Sequence, residues 1–262
     1  MGHKIIDFHN HAFPEKIERK AVNHLEKHYS IDIPSAGSIH ALLASAESAG
    51  VNYLVLHASA THKNQVISAN DWIASLAKSN ENLIGFGTVH PGYEDCLGEL
   101  ERIKELGLKG LKLHPDFQGF NVDDPSMYYI YEAIEPGFPI LIHVGDENLD
   151  FSSPRRLSRV LELFPHLTII GAHLGGYARW DEARQYLVGK NLYLDTSSSL
   201  WRIDPKEATE LIKDHGVDRI VFGSDYPVVP HGEELDRFLA LFLTEDEREK
   251  ILWENGARIL KL

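Results

Sequence analysis

The sequence predicts an α/β fold: a single-domain (β/α)8 TIM barrel, regular or distorted, with an extra helical segment after the first strand and one domain over residues 1–262. Three observations carry this. Eight short apolar, β-branched runs recur along the chain, each of strand length and apolar enough to be buried on both faces. After the first interval of 48 residues, successive runs begin 25 to 31 residues apart. That spacing leaves room for the helical crossovers that parallel strands need. The intervening segments carry helical apolar spacing with start and stop residues in place.

The first run, Ile5–Phe8, leads into His9-Asn10-His11, and Glu15–His28 fills the long first interval as the extra helix. Ser38–Ala49 reads as a helix that stops at Gly50, before the second run Tyr53–Leu56. Asn70–Ala77 and Asp95–Leu106 flank the third run, Ile84–Val89; the latter helix has apolar positions at 97, 100, 103 and 106 and ends at Gly107. Leu111–Leu113 and Ile140–Ile142 are the fourth and fifth runs. Pro154–Phe164 opens with proline behind Ser152-Ser153, and Pro205–His215 does so behind Asp204. Leu167–Ile170, Leu192–Leu194 and Ile220–Phe222 complete the strands, and Glu234–Leu243 and Glu245–Leu260 close the chain. An open doubly wound sheet is the rival, but its Gly-rich phosphate turn is missing after the first run.

Hydrophobic residues at 43% and charged residues at 25% exclude a disordered chain. The net charge of −13 repels phosphate backbones and argues against nucleic acid as partner or substrate. A single cysteine suits a reducing, cytoplasmic location. The start at Met1-Gly2-His3-Lys4 shows no signal peptide or myristoylation pattern, and no apolar stretch reaches membrane-span length. The expected partner is a small-molecule substrate, and a homodimer is compatible with the sequence.

Fifteen histidines are the compositional feature that points to chemistry. In a barrel the active site lies at the carboxyl ends of the strands. Those ends carry His9 and His11, His57, His90, His114, His143, His173, Asp195 and Asp225. The i, i+2 spacing of His9 and His11 puts both rings on one face of a strand, and two desolvated imidazoles without a ligand between them would be costly. An unpaired carboxylate at Asp225 would also be costly, and a metal explains it. His57, His90 and His114 read equally well as hydrogen-bonded wall residues, and Asp195 as a loop cap. Imidazole and carboxylate together suit one divalent transition metal, Zn2+ first, with Mn2+ or Fe2+ as alternatives. Three histidines and an aspartate, with one position open to water, make a catalytic site.

At these residues the chain resembles the amidohydrolase superfamily, and within it the amidohydrolase-related (amidohydro-2) subgroup. The motifs are Ile6-Asp7-Phe8-His9-Asn10-His11, Gly110-Leu111-Lys112-Leu113-His114-Pro115, Pro139-Ile140-Leu141-Ile142-His143, Gly171-Ala172-His173-Leu174-Gly175-Gly176 and Phe222-Gly223-Ser224-Asp225-Tyr226-Pro227. The resemblance implies a metal-dependent barrel with His9, His11, His143 and Asp225 as ligands and His173 as a catalytic or substrate-polarising group. TatD-type deoxyribonucleases share the first motif but carry a glutamate where this chain has Lys112. In two-metal relatives a carboxylated lysine of the fourth strand bridges the ions; the subgroup resembled here usually holds one.

The leading expectation is metal-dependent hydrolysis of a small, carboxylated cyclic ester or amide. A metal-activated water attacks, Asp225 moves its proton and His173 steadies the oxyanion. The alternative is nonoxidative decarboxylation of an aromatic or muconate-like acid on the same scaffold. A third reading, a barrel with a decayed metal site and no activity, fits poorly with the complete set of ligands. Lys112, His114, Tyr177, Trp201, Arg202 and Tyr226 are the expected substrate contacts.

Overall fold

The computed structural model describes residues 3–262; Met1-Gly2, read above for a myristoylation signal, lie outside the described residues. Eight parallel strands alternate with helices. They are β1 (Ile6–His11), β2 (Tyr53–His57), β3 (Leu83–Phe86), β4 (Leu111–Leu113), β5 (Pro139–Ile142), β6 (Thr168–Gly171), β7 (Tyr193–Asp195) and β8 (Ile220–Val221). The ladders run β1-β2-β3 and β4-β5-β6-β7-β8. Both seams between these sheets are bridged. Gly87 pairs with Leu111 and Asn10 with Tyr226. The Phe8 amide donates to the Phe222 carbonyl at 2.9 Å, and the Asp225 amide to the His9 carbonyl at 2.9 Å. The strands therefore follow one another around a ring.

The helices are α1 (Glu18–Tyr29), α2 (Ile39–Ser48), α3 (Val66–Ser79), α4 (Cys96–Glu105), α5 (Pro115–Gln118), α6 (Tyr128–Ala133), α7 (Pro154–Leu163), α8 (Trp180–Tyr186), α9 (Pro205–His215), α10 (His231–Leu239), α11 (Glu245–Glu249) and α12 (Asn255–Leu260). α9 matches its sequence reading residue for residue, behind the Asp204 cap. α10 starts earlier than read, directly after Pro230. The short α5, α6 and α8 have no counterpart in the apolar pattern. The last helix is not continuous, because Lys250–Glu254 forms a π turn between α11 and α12. Such a turn can free a carbonyl from the helix ladder. Here the Ile251 carbonyl accepts the Phe222 amide at 3.1 Å, docking the helix under the end of β8.

Alternation sorts the strand residues. Leu111, Ile140, Ile142 and Ile169 belong to the outer core under the helices. Ile6, Phe8, Val55, Phe86, Leu141, Ile170 and Val221 fill the ring with Ile259 of α12. This apolar layer is the floor on which the polar end of the barrel rests. In β1 the pairing register shifts between Asp7 and Asn10. A bulge of this kind re-aims side chains. It lets Phe8 join the inner core while His9 and His11 both reach the cavity above.

Candidate metal centre

His9, His11, His114, His143, His173 and Asp225 line one cavity of about 890 Å3 at the carboxyl ends of the strands. His9 Nε2 and His11 Nε2 stand 3.3 and 3.4 Å from Asp225 Oδ1. Donors bound to one metal at about 2.0–2.2 Å lie about 2.9–3.5 Å apart, and these separations match that range. One donor atom each from His9, His173 and Asp225 also lie within 4.8 Å of one another. His143 stands one ring further out, with its Nδ1 2.9 Å from His173 Nε2.

Hydrogen-bond partners fix which ring nitrogens carry protons. His9 Nδ1 donates to Asp195 Oδ2 at 2.8 Å, leaving Nε2 bare towards the cavity. His173 Nδ1 donates to the Ser197 carbonyl at 2.9 Å, and His143 Nε2 to the Gly145 carbonyl at 2.7 Å. Gly145 can turn its carbonyl this way because its φ is +87° and any Cβ would strike the Tyr177 backbone at 2.6 Å. His143 Nδ1 and His173 Nε2 therefore face each other as two lone pairs. Burial lowers the pKa of His9, His11 and His143, so they sit as neutral ligands rather than cations. Burial tends to raise the Asp225 carboxyl, but the His9, His11 and His173 rings outweigh it and hold it low. Facing acceptors with no proton between them repel, and a divalent cation resolves the conflict. The residues present fit a metal.

Lys112 points inward from β4, fully buried, with its Nζ 3.0 Å from His9 Nε2. Burial lowers its pKa to about 8, against the pull of Asp195 and Asp225. The backbone around the cluster is bent sharply: His173, Leu174, Ser198 and Asp225 have φ of 60°, 49°, 46° and 71°. Non-glycine residues in this region store strain, which concentrates at functional sites. Ser198 Oγ holds Asp225 Oδ2 at 2.7 Å.

The remaining expected contacts divide. His114 and Tyr177 line the cavity. Trp201, Arg202 and Tyr226 do not. Arg202 pairs with Glu147 at 2.6 Å and lies over the Tyr177 ring at 4.9 Å from its centroid, and Trp201 is 38% exposed. Tyr226 is buried, stacked on His231 and bonded to Ser35. These three stand outside the lining of this cavity. His90 bonds the Gln118 carbonyl at 3.2 Å, outside the cavity. His57 packs edge-on against His11 at 4.4 Å, and neither of its nitrogens has a partner among the described residues. Sequence reasoning missed Tyr29 of α1, Trp72 of α3 and Phe117 of α5, all of which line the cavity. Tyr29 Oη reaches His114 Nε2 at 3.4 Å, and Phe117 stacks on His114 at 4.0 Å between centroids.

No described helix is long and apolar enough to cross a membrane. Comparison with known proteins agrees with the geometry. The 2-amino-3-carboxymuconate-6-semialdehyde decarboxylase of Dictyostelium discoideum is 27% identical over 237 residues, covering 74% of this chain and 65% of the relative, a little under two thirds of its length. The gamma-resorcylate decarboxylase of Polaromonas sp. (strain JS666 / ATCC BAA-500) is 25% identical over 253 residues, covering 74% of this chain and 75% of the relative. Among solved structures, a dihydroxybenzoic acid decarboxylase from Polaromonas sp. JS666, with bound manganese and 2-nitroresorcinol, shares the fold. It superposes with a TM-score of 0.76 at 19% identity, over 100% of this chain and 98% of the other. The amidohydrolase family model Amidohydro_2 matches residues 6–262. The chain belongs to this amidohydrolase family.

Proposed function

We propose that the protein is a metal-dependent, nonoxidative decarboxylase of a small aromatic or muconate-like acid. The observation that carries this reading is a single cavity with two parts: converging acceptors that call for a cation, and ring-bearing walls of Tyr29, Phe117 and Tyr177. The two curated decarboxylases support it. They reverse the order expected from sequence, where hydrolysis came first.

In this proposal His9, His11, His143 and Asp225 hold the ion. Mn2+, present in the dihydroxybenzoic acid decarboxylase, stands beside Zn2+ and Fe2+ as a candidate. When bound, such a cation supplies Lewis acidity towards the carboxylate and a neighbouring hydroxyl of the substrate. The chain's own residues do the rest. Tyr29, Phe117 and Tyr177 hold the plane of the substrate. His173 keeps one proton at Nδ1 on the Ser197 carbonyl, so the proton it delivers is a second one, taken up at the Nε2 lone pair when substrate is bound. That proton passes to the substrate carbon that bears the carboxylate. The carbon–carbon bond then breaks, CO2 leaves, and the electron pair of the bond restores the conjugated system. His173 recovers its proton from water. Asp225, held ionised, pairs with the imidazolium while it lasts.

The test is a panel of hydroxylated benzoates and muconate-like acids offered to Mn2+- and Zn2+-loaded protein in deuterated water. The expected result is release of CO2 with deuterium at the vacated carbon. Cleavage of lactones or amides, with no CO2 from any acid, would restore the hydrolase reading.

A further inference from the structure

The cavity is far larger than its catalytic floor requires. At about 890 Å3 it lies near the top of the about 300–1,000 Å3 range of pockets that enclose drug-sized ligands, whereas a one-ring acid fills only a fraction of that. Its polarity is also divided. The histidines and Asp225 gather at the strand ends. Away from them the partly buried wall residues are mostly apolar: Phe13, Leu25 and Ile31 on one side, Ala58, Ala69 and Trp72 on the other, with Ser59 beside Ala58 the polar exception. The polar lining residues of this outer part, among them Lys20, Gln65 and Ser68, are exposed and form its rim. Ile17, 49% exposed, stands at the same mouth. A large aliphatic side chain left open beside an apolar wall is surface that a ligand can cover.

Building on the decarboxylase reading, we infer that the physiological substrate is amphiphilic: a carboxylate-bearing, hydroxylated ring seated at the histidine cluster, with an apolar arm running out between α1 and α3. The ring accounts for the floor and the arm for the remaining volume. Trp72 and Ile17 then determine specificity for the arm and take no part in bond breaking. A substrate of one ring alone would leave these walls facing water.

Isothermal titration of Mn2+-loaded protein with salicylate and with its propyl and hexyl ring-substituted homologues tests this. Each methylene that enters the channel should tighten binding by about threefold to fourfold. Ile17→Asp and Trp72→Ala should flatten that increment and leave salicylate affinity within about twofold. Ile17 is half exposed, so Ile17→Asp reports on the arm even if Trp72→Ala unfolds the chain. If salicylate binds but its homologues bind no tighter, the arm is wrong and the decarboxylase reading stands. If neither parent nor homologues bind, the hydroxylated ring with its arm is wrong, and the CO2 assay decides the decarboxylase reading by itself.

Discussion

Asp195 grips His9 from behind: its Oδ2 accepts the His9 Nδ1 proton at 2.8 Å, while its Oδ1 takes the His173 backbone amide at 2.9 Å. One carboxylate at the end of β7 thus sets the tautomer of a residue on β1 and the backbone of a residue after β6. Partners of this kind orient ligands and tune their basicity. Asp195→Asn should leave the fold intact and weaken metal affinity by about 10–100-fold. Titration of the metal-free protein against a chelator of known affinity measures this. Unchanged affinity would reduce Asp195 to a loop cap.

How far the sequence reveals this arrangement depends on the range of the interaction. Strand alternation and helix caps are local, so all eight strands and most long helices can be read directly from the chain. The short α5, α6 and α8 have too few turns to show a period, and the π turn at Lys250–Glu254 answers to a partner on another element, Phe222. The same division holds at the site. Residue type and position mark the histidine rim. Direction does not follow from type: Arg202 finds Glu147, 55 positions away, and so leaves the cavity. Tyr29 and Trp72 reach it because the tertiary fold brings α1 and α3 to the cavity wall, which no periodicity encodes.

His9→Ala and His11→Ala should each lose the metal and still fold. The apolar floor of Ile6, Phe8, Val55, Leu141 and Ile170 holds the barrel without it. Elemental analysis should find one divalent ion per chain in the parent and far less in either variant, with matching circular dichroism. Two ions per chain in the parent would point instead to a carboxylated Lys112 bridging them.

His143 Nδ1 and His173 Nε2 lie 2.9 Å apart, so activity loss alone cannot tell ligand from proton donor. His173→Asn should keep the metal and lose about 10²–10⁴-fold in kcat, the usual cost of a missing acid–base group. His143→Asn should lose metal and activity together. Metal content and turnover are to be measured on the same preparations. The reverse pattern would exchange the two roles, which the shared 4.8 Å cluster of His9, His173 and Asp225 makes a real test.

The last prediction concerns a histidine far from the metal. His215 ends α9 and is 1% exposed. Its Nε2 donates to the Leu192 carbonyl at 2.9 Å, and its Nδ1 accepts the Gly189 amide at 3.2 Å. The second bond needs the neutral ring, because a protonated Nδ1 cannot accept. Burial lowers its pKa to about 4, from 6.5 in the unfolded chain. Between those values the unfolded state binds the extra proton, so protonation favours unfolding. The stabilisation is complete above pH 6.5 and is lost as pH falls towards 4, with about 3 kcal/mol as the ceiling for a shift of this size. His215→Gln can donate and accept but cannot titrate. It should be less stable than the parent at neutral pH, by about 1–2 kcal/mol for imperfect bonds, and should lose less on acidification. Other buried histidines titrate in both proteins, so the reading is the difference between parent and variant urea midpoints at pH 7 and pH 5. Parallel shifts in the two proteins would mean that His215 does not sense pH.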